Sequence, residues 1–196
     1  MTKALLRVGG AVALVLLGAL AASRDARAAG SAPAASESLD TAARRPERPN
    51  AVQLDLGLAV IGLAYERVLH PRFATQLEAQ IFGTWFGPLF DLPNLRGFGG
   101  QIRPSFFLTD DAPRGVYVAP YLRVDRVSAT VSGASDTAVG FSAGAFGGYS
   151  LLLGERVNLR IGAGAQYMSY VVDVRGSRVA FKTLFPALDL VVGYVF

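Results

Sequence analysis

From Asn50 onward, apolar and polar residues alternate with a period of two. Val52, Leu54, Leu56 and Leu58 are separated by Gln53, Asp55 and Gly57, and Leu77, Ala79 and Ile81 by Glu78 and Gln80. The same rhythm runs through Gln101–Leu108, Val118–Asp125, Val157–Gly164 and Leu188–Phe196. A period of two puts successive side chains on opposite faces of a strand, whereas a helix spaces its apolar positions by three and four. The pattern predicts strands at about 50–58, 61–69, 73–83, 97–108, 115–127, 139–152, 156–170 and 181–196. The least marked boundary is the turn near Ala59–Val60, where no strong turn residue stands. Apart from the first connection on the outer side, near residue 60 and very short, the segments between strands alternate in length. His70–Arg72, Thr109–Arg114 and Leu153–Glu155 are short turns on one side, and Thr84–Arg96, Ser128–Thr137 and Val171–Phe181 are longer loops on the other. An even number of antiparallel strands with this asymmetry predicts an all-β fold, an eight-stranded up-and-down transmembrane β-barrel.

The residues before Asn50 follow a different pattern. Lys3 and Arg7 precede an apolar run from Val8 to Ala22, and small-x-small sites follow at Ala19–Ala21 and Ala26–Ala28. That order predicts a secretory signal peptide over 1–28, cleaved after Ala28. Ser23, Arg24 and Asp25 end the run short of the roughly 20 residues a spanning helix needs. Residues 29–49 hold almost no large apolar side chain, so burial cannot offset their ordering entropy and a flexible periplasmic leader is expected. The barrel domain is then 50–196.

Composition decides which face of the strands meets lipid. The polar set is rich in glycine (Gly57, Gly62, Gly99, Gly140, Gly144, Gly148, Gly162, Gly164, Gly193), and beyond the signal the sole lysine is Lys182. A water-facing surface is ordinarily rich in Lys and Glu. Small residues with a few charges suit instead the crowded interior of an eight-stranded barrel. A lipocalin-like barrel with the apolar set inside is therefore disfavoured. Net charge adds little. Four of the 19 basic and one of the 15 acidic residues fall within 1–28, leaving 15 and 14, and no clustered basic footprint for nucleic acid. The absence of cysteine removes disulfides and thiolate metal sites.

Aromatic residues fall near the expected strand ends: Tyr65, Phe73, Trp85, Tyr149, Tyr167, Phe185, Tyr194 and Phe196. Girdles at the two interfaces are expected to look this way. Together with the signal peptide, the strand–loop asymmetry and the ending Leu188-Asp189-Leu190-Val191-Val192-Gly193-Tyr194-Val195-Phe196, the pattern resembles the small outer-membrane β-barrel proteins of the OmpA/OmpX type. The resemblance covers about 50–196, the barrel alone. It implies an outer-membrane location in a two-membrane bacterium, contact with outer-membrane lipid, and a terminal Phe196 with Tyr194 behind it that act as the signal read by the barrel assembly machinery.

The inward set supplies the candidate chemistry. Asp55, Glu78, Arg103, Arg123, Arg160 and Asp189 form an expected lumen network, with Glu66 and Asp125 on the same face. Hairpin counting sets Glu78 almost opposite Arg103 and Arg160 within two positions of Asp189. Isolated charges in a narrow low-dielectric lumen are costly, so they are expected to pair and fill it as a polar plug. The alternative is a narrow channel gated by exchange of salt-bridge partners. Another alternative is a lipid-modifying barrel enzyme, but the His-x-Ser used by barrel deacylases is absent, because Arg72 stands two residues after His70. Asp110 and Asp111 sit in a predicted turn, where Asp is locally favoured. No catalysis, cofactor or metal is expected. The apolar loop over 84–96, Trp85 to Pro93 at its centre, is a candidate contact for an extracellular ligand or for the membrane interface. The expected role is structural or in surface interaction.

Overall fold

The computed structural model describes residues 49–85 and 93–196. The expected signal peptide, the leader up to residue 48 and the apolar loop residues 86–92 lie outside the described residues. Eight antiparallel strands follow one another: β1 Asn50–Leu56, β2 Val60–His70, β3 Phe73–Gly83, β4 Leu95–Phe107, β5 Gly115–Val131, β6 Ala134–Leu153, β7 Val157–Val174 and β8 Ser177–Val195. Each pairs with its chain neighbours, and β8 closes the ring onto β1. Closure satisfies the backbone donors and acceptors that a sheet edge would leave open, the condition for strands to stand in hydrocarbon.

The alternation seen in the sequence sorts side chains as the composition suggested. On β1, Gln53 and Asp55 are buried in the lumen while Val52, Leu54 and Leu56 are exposed. On β5, Tyr121, Arg123 and Asp125 are inside while Leu122 and Val124 are outside. Leu63, Leu77, Ile81, Ile102, Ile161 and Leu188 continue the outer band. So large a continuous apolar surface is foreign to a water-soluble monomer.

The barrel is not equally tall all round. The β1–β8 seam holds five register pairs, from Ala51↔Val195 to Asp55↔Val191, and Asn50 and Phe196 also exchange backbone hydrogen bonds at 3.2 and 2.8 Å. The β7–β8 hairpin in contrast runs on to Val174↔Ser177. Even-numbered β8 residues, in phase with Phe196, turn their backbone groups toward β1. Pro186 falls in that phase above the end of β1, so its missing N–H breaks no ladder bond.

The longer loops expected over Ser128–Thr137 and Val171–Phe181 are instead strand. β5–β6 turns at Ser132-Gly133 (φ 49° and 80°) and β7–β8 at Arg175-Gly176 (φ 47° and 84°), both two-residue turns with positive φ at each centre. The polar residues that suggested loops keep the period of two with its sense inverted. Ser128, Thr130, Ser135 and Thr137 line the outer face, while Val127, Ala129, Val131, Ala134 and Ala138 turn inward. Above the apolar band the two hairpins thus pack as a soluble sheet does, polar outside and apolar inside. Of the expected girdle, Tyr65, Trp85, Tyr149, Tyr167, Tyr194 and Phe196 are outward and exposed. Phe185 is not: its odd register turns it inward against the apolar cluster of Phe82, Met168 and Phe181.

One place in the wall lacks its ladder. Ile102 opposes Leu122 and Phe106 opposes Val118, which sets Pro104 against Pro120, and no register pair joins β4 and β5 between those two. The pair is in phase with Leu108 and Val116, whose backbones are bonded at 2.7 Å. Two opposed residues in that phase would exchange two N–H···O bonds, and neither proline has an N–H to give. The change Pro104→Ile with Pro120→Val restores both donors to carbonyls in the lipid-facing wall. Roughly 1–3 kcal/mol per satisfied acceptor outweighs about 0.4–1 kcal/mol of unfolded-chain entropy per proline. The double variant is therefore expected to unfold at higher urea concentration in micelles. An unchanged or lower midpoint would show that these carbonyls already have partners.

Candidate functional site

The lumen collects the charged side chains in layers, described here from the proximal rim, where Asn50 and Val195 lie, to the distal rim. At the proximal mouth the β4–β5 turn folds inward and buries Ala112 and Pro113. Backbone bonds from Ala112 N–H to Pro71 C=O (2.6 Å) and from Phe107 N–H to Arg72 C=O (3.0 Å) hold it there. The Pro113 carbonyl accepts from the Ser150 hydroxyl and from Asn158 Nδ2 at 3.2 Å. Next, Arg160 Nη2 donates to Glu66 Oε1 at 2.5 Å, its guanidinium lying over the Phe107 and Tyr117 rings.

Arg103 occupies the middle and is fully buried. Its Nη1 reaches Asp189 Oδ1 at 2.6 Å and Asp55 Oδ2 at 3.3 Å, while Nε and Nη2 donate to Gln76 Oε1 at 3.0 and 2.5 Å. The second oxygen of Asp189 accepts from the Tyr117 hydroxyl. One guanidinium thus joins β1, β3, β4 and β8, and through Asp189 also β5. Tyr117 needs room, and Gly148 and Gly162, opposed across β6–β7, provide it: a Cβ on either would lie within 2.9 or 2.6 Å of its hydroxyl.

Beyond Arg103, Glu78 Oε2 accepts from Gln76 Nε2 and Gln101 Nε2, each at 3.1 Å. Arg123 donates to Gln101 Oε1 at 2.9 Å and to Gln166 Oε1 at 3.4 Å, and Tyr121 also donates to Gln166 at 2.7 Å. A cavity of about 10 Å³ beside Asp55, Tyr121, Arg123 and Gln166 is near the smallest space that admits a water. Asp125 then accepts from Gln80 at 2.8 Å and from the Tyr170 hydroxyl at 2.6 Å. Above it the lumen turns apolar: Val60, Phe82, Leu95, Val127, Val172 and Phe181 are buried together.

Asp55, Glu78, Arg103, Arg123, Arg160 and Asp189 all lie in this interior, and the register sets Arg160 two positions from Asp189 as counted, but the side chains pair differently. Gln76, not Glu78, is opposite Arg103, and Glu78 is opposite Gln101. Arg103 therefore reaches across the lumen to Asp189, and Arg160 takes Glu66 of β2 rather than Asp189. Counting along a hairpin finds neighbours in the wall, whereas long side chains in a tube this narrow meet the opposite wall. The count also passed over Tyr117 and Tyr170, although Tyr117 shares the phase of Arg123, and Tyr170 that of Gln166. Outside the lumen, His70 Nδ1 accepts the Arg72 N–H at 3.2 Å and so serves its own turn. Thr109 donates to Asp110 at 3.1 Å in the next. Tyr194 and Phe196 face outward on the closing seam.

No protein-family model matches the chain, and no curated protein is similar to it in sequence. Solved structures are similar in fold. The N-terminal β-barrel domain of Pseudomonas aeruginosa OprF superposes with a TM-score of 0.51 at 12% identity, over 75% of this chain and 95% of that one. Neisserial surface protein A superposes with a TM-score of 0.50 at 15% identity, over 74% and 95%. The closed ring of eight antiparallel strands, its outer apolar band and these likenesses agree: this chain has the fold of the small outer-membrane β-barrels.

Proposed function

We propose that the chain is a closed outer-membrane barrel whose lumen is a polar plug, with a structural or surface-interaction role and no catalysis of its own. The proximal rim then faces the periplasm and the two tall hairpins face outward. The observation that carries this reading is the set of bonds that cross the lumen. Arg103 to Asp189, Arg160 to Glu66, Gln80 to Asp125 and Tyr121 to Gln166 each join strands that are not neighbours in the wall. The first two run from one side of the lumen to the other, across the path an ion would take, and the other two bridge over Gly99 and Gly144 and narrow it. The apolar cluster at the distal rim and the inward-folded turn at the proximal rim add a barrier at each end. A membrane location follows from the outer band, which would leave water only at a large hydrophobic gain.

Two measurements test the plug. In planar bilayers the protein is expected to show no steady single-channel conductance, and a resolved open level would contradict the reading. Arg103→Met leaves Asp55 and Asp189 without their guanidinium. Breaking a buried pair this way is expected to cost about 3–5 kcal/mol of unfolding free energy. Replacing Arg103, Asp55 and Asp189 together by Met, Asn and Asn should recover part of it. If the single variant unfolds like the parent, the pair does not hold the lumen together.

A further inference from the structure

The outer face of the barrel changes character along a definite line near the distal rim. On β4 to β8 the apolar band is interrupted by a first polar residue, two positions beyond its last large side chain, with Val171 on β7 the one large apolar residue farther out. On β4 Phe98 gives way to Arg96, and on β5 Val124 gives way to Arg126. On β6 Val139 gives way to Thr137, on β7 Tyr167 to Ser169, and on β8 Leu184 to Lys182. The charged residues on this line are all basic. The nearest outward acid among the described residues, Asp173, lies farther out, opposite Arg178.

The line is densest where β4 meets β5. Phe98 is opposite Arg126 and Arg96 is opposite Ser128, so the two guanidiniums are diagonal neighbours on one face. Neither has a carboxylate within ion-pair distance among the described residues. Arg126 Nη2 donates to Thr137 Oγ1 at 3.4 Å and the Ser128 hydroxyl donates to the Arg96 carbonyl at 3.2 Å. Two adjacent like charges repel unless an anion lies between them. Flanking Arg126 in register are two of the most exposed large apolar side chains of the wall, Val139 at 70% and Phe98 at 65%, and Val124 and Phe141 oppose each other two positions nearer the middle of the wall. The arrangement is amphipathic in one direction: a cationic clamp at headgroup height over a bare apolar strip.

We propose that Arg96 and Arg126 bind a phosphate of a phosphorylated, multiply acylated glycolipid of the outer leaflet, with its acyl chains lying on Phe98, Val124, Val139 and Phe141. This inference rests on the membrane reading above. Guanidinium forks match phosphate oxygens bidentately, and their low hydration suits an interface. Ser128 and Thr137 supply hydroxyls beside the same point. A soluble phosphate would find the clamp but gain nothing from the strip, whereas an acylated phosphate uses both.

The test is native mass spectrometry of the chain refolded in zwitterionic micelles and titrated with lipid A. The expected result is saturable binding, lost at least about tenfold in Arg96→Gln with Arg126→Gln, as the removal of charge-assisted contacts implies. Arg114→Gln, on the opposite rim, should bind as the parent does. Dephosphorylated lipid A should bind weakly to all three proteins, and inorganic phosphate should not compete at equal concentration. Equal binding of the dephosphorylated lipid, or undiminished binding by the double variant, would overturn the site while leaving the barrel reading intact. Both substituted residues are exposed, and a native circular dichroism spectrum of each variant excludes misfolding. A chain that is monomeric in water without detergent would overturn both readings together.

Discussion

Hydrocarbon offers no hydrogen bonds, and that constraint organises the whole molecule. It forces the backbone into a closed ring, because any open edge would leave N–H and C=O groups without partners. It also drives polar side chains of the spanning strands inward, where a ring of only eight strands has little room. Five carboxyl groups (Asp55, Glu66, Glu78, Asp125, Asp189) and three guanidiniums (Arg103, Arg123, Arg160) then share one narrow space. They must satisfy one another, and Arg103 does so for four elements at once. The proposed plug would thus be a consequence of the wall as much as a device added to it.

Where the constraint lifts, the pattern inverts. Beyond Val124 on β5 and Tyr167 on β7 the outer face turns to Arg126, Ser128, Thr130 and Ser169, and the inner face to Val127, Ala129, Val172 and Val174. The same two strands are inside-out below this line and conventionally packed above it. The apolar stopper at the distal rim therefore follows from hairpins that outgrow the membrane, with water now outside them. The short β1 and tall β8 belong to the same geometry, and Pro186 sits where no neighbour asks for its N–H.

Much of this was legible in the sequence because a strand in a membrane wall has two faces of opposite solvent. The alternation through Asp55, Arg123 and Asp189 marks the inward face, and the glycine-rich polar set tells lipid from water. The failures have physical causes. Ser128–Thr137 and Val171–Phe181 were expected to be loops because their outward residues are polar, yet polarity on the outer face marks a strand that has left the bilayer. The pairing of Glu78 with Arg103 assumed that neighbours in the wall are neighbours in the lumen. Side chains as long as Arg103 and Arg160 instead meet residues far away in sequence, and a local count has no access to those. Ser132-Gly133 and Arg175-Gly176 were visible as dipeptides, but only their positive φ shows that the strands reverse there.

The central claim is that neighbouring residues on a spanning strand face opposite solvents, lipid and plug. Because Trp85 is the sole tryptophan, a Trp85→Phe background can carry one new tryptophan at a time, either Leu122→Trp or Tyr121→Trp on β5. In bilayers whose acyl chains carry bromine, a quencher that acts only at contact, fluorescence from position 122 should be strongly quenched and that from position 121 left nearly unchanged. Equal quenching at both positions, or stronger quenching at 121, would contradict the account.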